Sequence, residues 1–500
     1  MLKVIFSFLP LITIILFIFI FKKSAIYTGL FVTFLTATIA LLPIFNISIM
    51  DFSHPLIKAI LITIIIAYIL VFGILLYELM EKAGAISRIA STIASSTNDR
   101  IHQVMLLALG LSPLIESLSG FGLAVVVIAP ILLALGFTPI QSSLISLTSL
   151  IIIPWGTLAM GTIIGATLGE IPLKSLGEGT SLMMIPLFIY FSILISYFAV
   201  GKKLLISRIN EVIAIGLLLG IFTWFANHFI SVEIAGIFSS LMIILSIFCL
   251  ITFKNKRNGI YYIKDNKKDN MKTFISYISP YILLIFLLFL SRTSSSIKET
   301  LKGISNLSLQ QYNIDFFLFF SPGFFLIISC IYSISFFKLS KKDILVSSKQ
   351  TLQKCIPVLL ATFFYIFISE MMQTAGMFTV LSILASETMG FVFLFISPLI
   401  GAMGGFLTGS NTASNTMFIR LQTETAIHIG LSPVLLATTQ NVSSSLMTMV
   451  NPSRVTLGAS VCKISLQENV IQKKMGLIGL GTLTIIFIEL IIIYYIYNFK

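Results

Sequence analysis

Long apolar runs separated by short basic or glycine-rich intervals fill almost the whole chain. Runs near 4–21, 25–45 and 57–80 each approach the ~20 residues needed to cross a bilayer core, so each predicts a helical span. Runs near 180–200, 211–228, 231–253, 275–291, 316–337, 355–374 and 475–498 predict further spans. The interval 84–100, which carries Arg88, Asp99 and Arg100, is expected at the surface. The first 21 residues have the look of a signal peptide. Their apolar run is too long for one, however, and the charges Lys22 and Lys23 follow the run, so a first membrane helix is expected.

Two regions, 101–177 and 388–465, resist division into clean spans. Polar, glycine-broken backbone at membrane depth is tolerated only where protein or a water-filled cavity shields it from lipid. The simplest arrangement for each is a re-entrant helical hairpin followed by one broken helix. The first hairpin is expected over about 101–136, turning at 117–122, and the first broken helix over about 139–170, interrupted at Pro154-Trp155-Gly156. The second hairpin is expected over about 388–428, with an extended polar tip at 404–415, and the second broken helix over about 432–465, interrupted at Asn451-Pro452. Proline removes a backbone donor and clashes with the preceding turn, which gives both breaks a mechanical cause.

An internal repeat supports this pairing. Glu78-Leu-Met-Glu-Lys-Ala-Gly84 matches Glu370-Met-Met-Gln-Thr-Ala-Gly376. Ser112-Pro-Leu-Ile115 with Gly120-Phe121 matches Ser397-Pro-Leu-Ile400 with Gly405-Phe406. Leu135-Gly-Phe-Thr-Pro139 matches Ile429-Gly-Leu-Ser-Pro433. Basic loops tend to stay in the cytoplasm, which orients the spans. The clearest such loop is 254–274, with Lys254, Lys256, Arg257, Lys264, Lys267, Lys268 and Lys272, and 338–354 is another. Both termini then fall outside, Glu78 lies at an inner helix end and Glu370 at an outer one, and the two repeats are inverted. The outer loop 292–315, with Arg292, Lys298 and Lys302, is the exception to the charge rule.

Composition agrees. The 500 residues are 57% hydrophobic and 10% charged, which places the chain among polytopic helical membrane proteins. The net charge of +13 sits in short loops, where it sets topology; a nucleic-acid partner is not implied. The cysteines Cys249, Cys330, Cys355 and Cys462 are scattered and suggest core positions. None of the four histidines has metal-site company, so no metal or other cofactor is expected. No phosphate-loop motif and no soluble domain long enough for an enzyme appears, which argues against ATP-driven transport and against catalysis.

Two inverted repeats with discontinuous helices are the architecture of secondary transporters, whose half-helix ends bind substrate near the bilayer midplane. Helix N-termini carry free N–H groups that attract anions. Ser410, Asn411, Thr412, Ser414 and Asn415 can cap such ends or hold a small carboxylate; they can equally serve only the hairpin's own backbone. Asn441 and Ser443 precede the second break, and Arg454 follows it. A charge at the bilayer centre costs on the order of 2.5–3.5 kcal/mol on insertion scales, so Arg454 should face a cavity or a partner, unless it reaches the cytoplasmic interface. Arg420, four residues before Glu424, reads as half of a helix-face ion pair. Glu116 lies beside the first tip, with Ser119 and Gly120, and a carboxylate at that depth can carry a proton at neutral pH; it is the preferred coupling residue. Glu78 and Glu370 read as interfacial.

At both hairpins the sequence resembles the bacterial L-lactate permease family. The carrying segments are Glu116-Ser-Leu-Ser-Gly-Phe-Gly122 with Leu135-Gly-Phe137, Gly405-Phe-Leu-Thr-Gly-Ser-Asn-Thr-Ala-Ser-Asn415, Ile429-Gly-Leu-Ser-Pro-Val-Leu-Leu436, Asn451-Pro-Ser453, and Gly376. The resemblance implies uptake of lactate, glycolate or a related 2-hydroxy monocarboxylate with protons, on a fold like that of the wider ion transporter superfamily. The chain departs from the family pattern at Asn411, where an Asp is usual, at Ser149, where an Asn is usual, and at Thr448, where a Lys is usual.

The expectation is therefore an all-α polytopic membrane protein. It is an inverted-repeat transporter with two re-entrant helical hairpins, two discontinuous helices and about 12–14 membrane segments. Residues 1–56 would form N-terminal scaffold helices, 57–200 the first repeat, 201–350 further scaffold helices, and 351–500 the second repeat. The chain would be a secondary active transporter in the bacterial inner membrane, binding a small carboxylate between Ser119/Gly120 and 410–415, with the proton as coupling ion. The oligomeric state is left open, a homodimer included. Another small anion or coupling ion is the alternative within the class, and a passive anion channel is the alternative from another class.

Overall fold

The computed structural model describes residues 1–500 except 121, 258–263, 305, 313 and 499–500, so the middle of the basic loop 254–274 lies outside the described residues. The chain is an all-α polytopic membrane protein. Nine helices among the described residues are long and apolar enough to cross a bilayer, or ten when one bent pair is taken as a span. That is fewer than the expected 12–14, and the reason is length. Leu2–Ile18, Ala25–Ala40, Leu123–Ala134 and Pro322–Phe336 are apolar but short, and counting them restores the expected number. The other departure from helix is a small antiparallel pair, Asn306–Leu309 with Ile314–Phe317, in the loop expected outside. There the exceptional cations are engaged locally. Arg292 donates to the Phe320 carbonyl at 3.0 Å and stacks 3.6 Å from its ring, and Lys302 lies over Phe317 and Phe320.

Two long helices, Ser53–Lys82 and Lys341–Thr374, pack along each other and carry reciprocal ion pairs. At one end Glu78 bonds Lys354; at the other Glu370 lies 3.2 Å from Lys58. Both glutamates, expected near the interface, are buried near their helix ends, each enclosed against a lysine of the opposite helix. Each long helix ends at a glycine in the left-handed region, Gly84 (φ 69°) or Gly376 (φ 67°), where a short helix begins. The first of these, Ala85–Ser95, is amphipathic: Ile86, Ile89, Ala90 and Ile93 face inward, while Arg88 is exposed, as its surface placement required.

Two helix–turn–helix pairs follow. The first runs from Arg100 to Ser119, turns through Gly120 and Gly122, and returns as Leu123–Ala134. Its base is fixed by a charged cluster: His102 Nε2 lies 2.5 Å from Glu211 Oε1, Arg208 bonds both Asp99 and Glu211, and Lys254 reaches Glu211 at 2.7 Å. The second pair is Phe393–Thr408 and Asn411–His428. Each is followed by a broken helix. Pro139–Thr148 and Ile153–Leu168 meet at 58° across residues 149–152, and Pro154 lies in the short helical turn that follows. Pro433–Met447 is separated from Pro452–Val461 by a tight turn and Asn451.

The second tip corrects the sequence reading. Residues 404–415 do not form an extended tip. Helix continues through Thr408 and resumes at Asn411, so the break is Gly409–Ser410 alone. Gly404 and Gly405 are helical, and their role is close approach. A Cβ on Gly404 would overlap the Ser414 hydroxyl of the return arm, and one on Gly405 would overlap the Ser444 carbonyl oxygen of the broken helix. Gly405→Ala should therefore lower the thermal unfolding midpoint of the detergent-purified protein, by an overpacking cost of about 1–3 kcal/mol. Gly476→Ala, at a glycine with nothing within 4 Å of the added methyl group, should leave the midpoint unchanged or slightly raised.

Candidate functional site

At the first tip, Ser112–Ser119 stops because Gly120 (φ 64°) and Gly122 (φ 76°) adopt backbone conformations that side chains disfavour. A Cβ on Gly120 would overlap the Thr157 hydroxyl, so this turn is pressed into the first broken helix. There Thr157, Leu158 and Ala159 form a left-handed run, with φ of 45°, 56° and 62°. Such backbone costs of order 1–3 kcal/mol per residue and is a mark of functional regions. The Gly122 N–H donates to Glu116 Oε1 at 3.2 Å, and Glu116 Oε2 has no hydrogen-bond partner among the described residues. Ser119 donates back to the Ile115 carbonyl at 2.7 Å, so its hydroxyl serves its own helix. Phe121 lies outside the described residues.

At the second tip, Ser410 caps the return arm by accepting from the Ala413 N–H at 3.3 Å. Asn451 secures the tip from the side: its Nδ2 donates to the Phe406 carbonyl at 2.7 Å, and its Oδ1 accepts from the Ser453 N–H at 2.9 Å. One side chain then spans both tips. Arg454 Nη2 donates to the Gly409 carbonyl at 3.2 Å, while Nη1 lies 3.8 Å from Glu116 Oε1 and makes no hydrogen bond among the described residues. Arg454 is 12% and Glu116 2% exposed in the side chain, so this is a buried pair, and the interfacial alternative for Arg454 is set aside. The open edge of the cluster is at Pro452 and Ser453, which are exposed, and at the half-buried 408–410.

Behind the second tip, Asn441 is the centre of a polar knot. Its Oδ1 accepts from Asn411 Nδ2 and Asn415 Nδ2, both at 2.9 Å. Its Nδ2 donates to Thr162 Oγ1 and Thr180 Oγ1, both at 3.0 Å. Asn415 Nδ2 also donates to the Gly161 carbonyl at 3.0 Å. The i,i+4 spacing of Asn411 and Asn415 puts both amides on one helix face toward Asn441. Their Oδ1 atoms are buried without partners among the described residues. Gly161 admits this contact, since a Cβ there would stand 2.6 Å from Asn411 Nδ2. A second link runs from Ser414 Oγ, which accepts from Gln440 Nε2 at 3.1 Å, to Gln422, which donates to Gln440 Oε1 at 3.1 Å.

Among the expected site residues, the fold brings Asn411, Asn415 and Asn441 together in the knot and Glu116 and Arg454 together between the tips. Ser443 donates to its own helix at the Thr439 carbonyl, and Thr412 makes no side-chain hydrogen bond among the described residues. Thr162, Thr180, Gly161, Gln440 and Gln422 escaped the sequence reading. Thr162, Thr180 and Gly161 are small or polar residues among apolar ones, whereas Gln440 and Gln422 sit among other polar residues that gave them no distinction. The expected Arg420–Glu424 pair is not formed. Arg420 turns inward, with Nε on the Leu168 carbonyl, Nη1 on the Ser369 carbonyl and Nη2 2.8 Å from the buried carboxylate of Glu370, a charge-assisted contact of the kind an arginine fork favours.

Comparison with known proteins agrees with this architecture. A family model described as L-lactate permease matches residues 3–497. An L-lactate permease of Streptococcus iniae is 25% identical over 453 residues, covering 87% of this chain and 94% of that protein. An L-lactate permease of Bacillus subtilis (strain 168) is 23% identical over 457 residues, covering 81% of this chain and 80% of that protein. The glycolate permease GlcA of Escherichia coli (strain K12) is 35% identical over 78 residues, 16% of this chain and 14% of that protein. The chain belongs to the L-lactate permease family and is a multi-pass membrane transporter, not an enzyme.

Proposed function

We propose that this protein imports lactate, glycolate or a related small 2-hydroxy monocarboxylate together with protons across the bacterial inner membrane, by alternating access. The single observation that carries the reading is the buried Glu116–Arg454 pair, 3.8 Å apart between the two helix-pair tips. The two helix–turn–helix pairs act as re-entrant hairpins within inverted repeats, 57–200 and 351–500, around scaffold helices 1–56 and 201–350, with both termini outside. This is supported by the matched left-handed glycines Gly84 and Gly376, by Gly136 and Gly430, which also have positive φ at matching repeat positions, and by the reciprocal pairs Glu78–Lys354 and Glu370–Lys58.

The pair links proton to substrate in a direct way. Removing one member of a buried ion pair leaves the other charge uncompensated, at a cost on the order of 3–5 kcal/mol. A proton on Glu116 therefore leaves Arg454 in need of an anion, and a substrate carboxylate supplies it. The unpartnered Arg454 Nη1 is placed to donate to that carboxylate, in the forked geometry an arginine favours. Conversely, the bound carboxylate favours the protonated Glu116. Proton and monocarboxylate then bind and move together as a neutral set. Asn411, Asn415 and Asn441 hold the second hairpin against the first broken helix, and Asn411 and Asn415 present acceptor oxygens to which a substrate hydroxyl can donate. Ser119, Gly120, Ser410, Thr412, Ser414 and Ser443 shape the two tips around this centre.

Purified protein in liposomes should accumulate radiolabelled lactate or glycolate when an inward pH gradient is imposed; no uptake of any short hydroxy acid by well-oriented protein would overturn the reading. Saturation and accumulation against a gradient separate it from a passive channel. An accumulation driven by a sodium gradient and indifferent to pH would replace the proton as coupling ion. Glu116→Gln should abolish proton-driven accumulation but leave lactate counterflow exchange; retention of proton-driven accumulation would remove Glu116 from the coupling role.

A further inference from the structure

The Glu116–Arg454 pair is not the only buried ion cluster. A second one joins the helix pair Ser53–Lys82 and Lys341–Thr374 to the elements that carry the candidate site. Arg420 belongs to the return arm of the second hairpin and is 3% exposed. It donates to the Leu168 carbonyl, at the end of the first broken helix, and to the Ser369 carbonyl, near the end of the long helix Lys341–Thr374. Its Nη2 lies 2.8 Å from Glu370 Oε1 and 3.7 Å from Glu170 Oε1. Glu370 uses its other oxygen for Lys58, at 3.2 Å. Among the described residues, the opposite end of the long pair has no such link from a hairpin. There Glu78 is paired with Lys354 of the same pair of helices.

The four charges divide along an existing boundary. Glu370 and Lys58 both belong to the two long helices. Arg420 and Glu170 both belong to the hairpin and the first broken helix. Along the boundary runs an apolar seam containing Ile62, Ile66, Ile366, Met160, Ile164 and Ile419, all buried. If the two sides separate, Glu370 keeps Lys58 and Arg420 keeps Glu170, so each side departs with a compensated pair. A two-residue Arg–Glu bridge would instead leave two bare charges, the costly outcome for a buried pair. The Glu170 side chain is 67% exposed and lies just past the first broken helix, at a turn beyond Gly169 with φ of 52°.

We propose that Arg420, Glu370, Lys58 and Glu170 form a separable charge latch that holds this side of the transporter closed, and that opening to the Glu370 side exchanges the Arg420–Glu370 contact for the two pairs already in place. Arg420 is thus a positioning residue. The inference rests on the alternating-access reading above. It implies an asymmetry: the Glu370 side closes through charge, and the Glu78 side closes without a hairpin cation.

The test uses the full-length protein in liposomes, with its four cysteines replaced by alanine and Ile366→Cys introduced as a reporter in the seam. A membrane-impermeant maleimide is applied from the Glu370 side. Arg420→Gln, which removes the clamp, should raise the alkylation rate about tenfold. Lys58→Met, which keeps the clamp but strips Glu370 of its second partner, should lower alkylation and slow lactate counterflow, each about tenfold. Unchanged alkylation in Arg420→Gln, or counterflow at the wild-type rate in Lys58→Met, overturns the latch. Should Arg420→Gln fail to fold, Lys58→Met decides alone. Alkylation needs no substrate, so lactate uptake by the unsubstituted protein separates the two ideas. Absent uptake strikes the proposed function; normal uptake with unchanged alkylation strikes only the latch.

Discussion

Charge and hydrogen-bonding groups removed from water must find partners within the protein, and in a membrane there is no solvent to make good an omission. The Glu116–Arg454 pair is where this constraint bears hardest. The two groups come from parts of the chain more than three hundred residues apart, and they meet only because both helix-pair tips are broken at the same place. Gly120 and Gly122 let the first tip turn. Gly409 leaves a carbonyl free for Arg454 at the second. Pro452 and Asn451 start a helix whose first turn points Arg454 between them. The first helix–turn–helix pair and the second broken helix thus carry the ion pair, and the long helices give them something to lean on.

Much of this was legible in the sequence because proline and glycine leave local marks. The breaks at Pro154 and at Asn451-Pro452 follow from a missing donor and a steric clash, and both lie where expected. The polar stretch 404–415 was legible as important but not in shape. A glycine pair reads as a helix breaker, yet Gly404 and Gly405 remain helical and exist to let Ser414 and Ser444 approach. Nothing local distinguishes those two uses of glycine. Length misled in a different way: several apolar helices are too short to meet a spanning criterion alone, and the number of segments depends on how they are counted.

Partnerships across the fold were the least legible. Arg420 has Glu424 four residues away, and the local rule favours that contact. Its actual partners lie at 168, 170, 369 and 370, on elements that only tertiary packing brings near. Asn441 was visible as a polar residue before a break, but its role as the meeting point of Asn411, Asn415, Thr162 and Thr180 depends on four separate helices. Asn411 is also the position where the family resemblance implies an acid. Its Nδ2 meets an acceptor oxygen, so an amide fits the knot without any proton being taken up.

In the proposed account the chain carries two ion clusters with different duties. The one between the tips changes its charge when substrate binds; the one at the Glu370 end keeps its charges and only changes partners. The central claim is that a proton on Glu116 frees Arg454 for the substrate. The direct measurement is lactate affinity as a function of pH, by calorimetry, for the unsubstituted protein and for Glu116→Gln, in which the carboxylate is permanently neutral. The account predicts that the unsubstituted protein binds lactate more tightly as pH falls, and that Glu116→Gln binds it at least as tightly at every pH, with the pH dependence gone. Weaker binding by Glu116→Gln, or a pH dependence that survives the substitution, would contradict it.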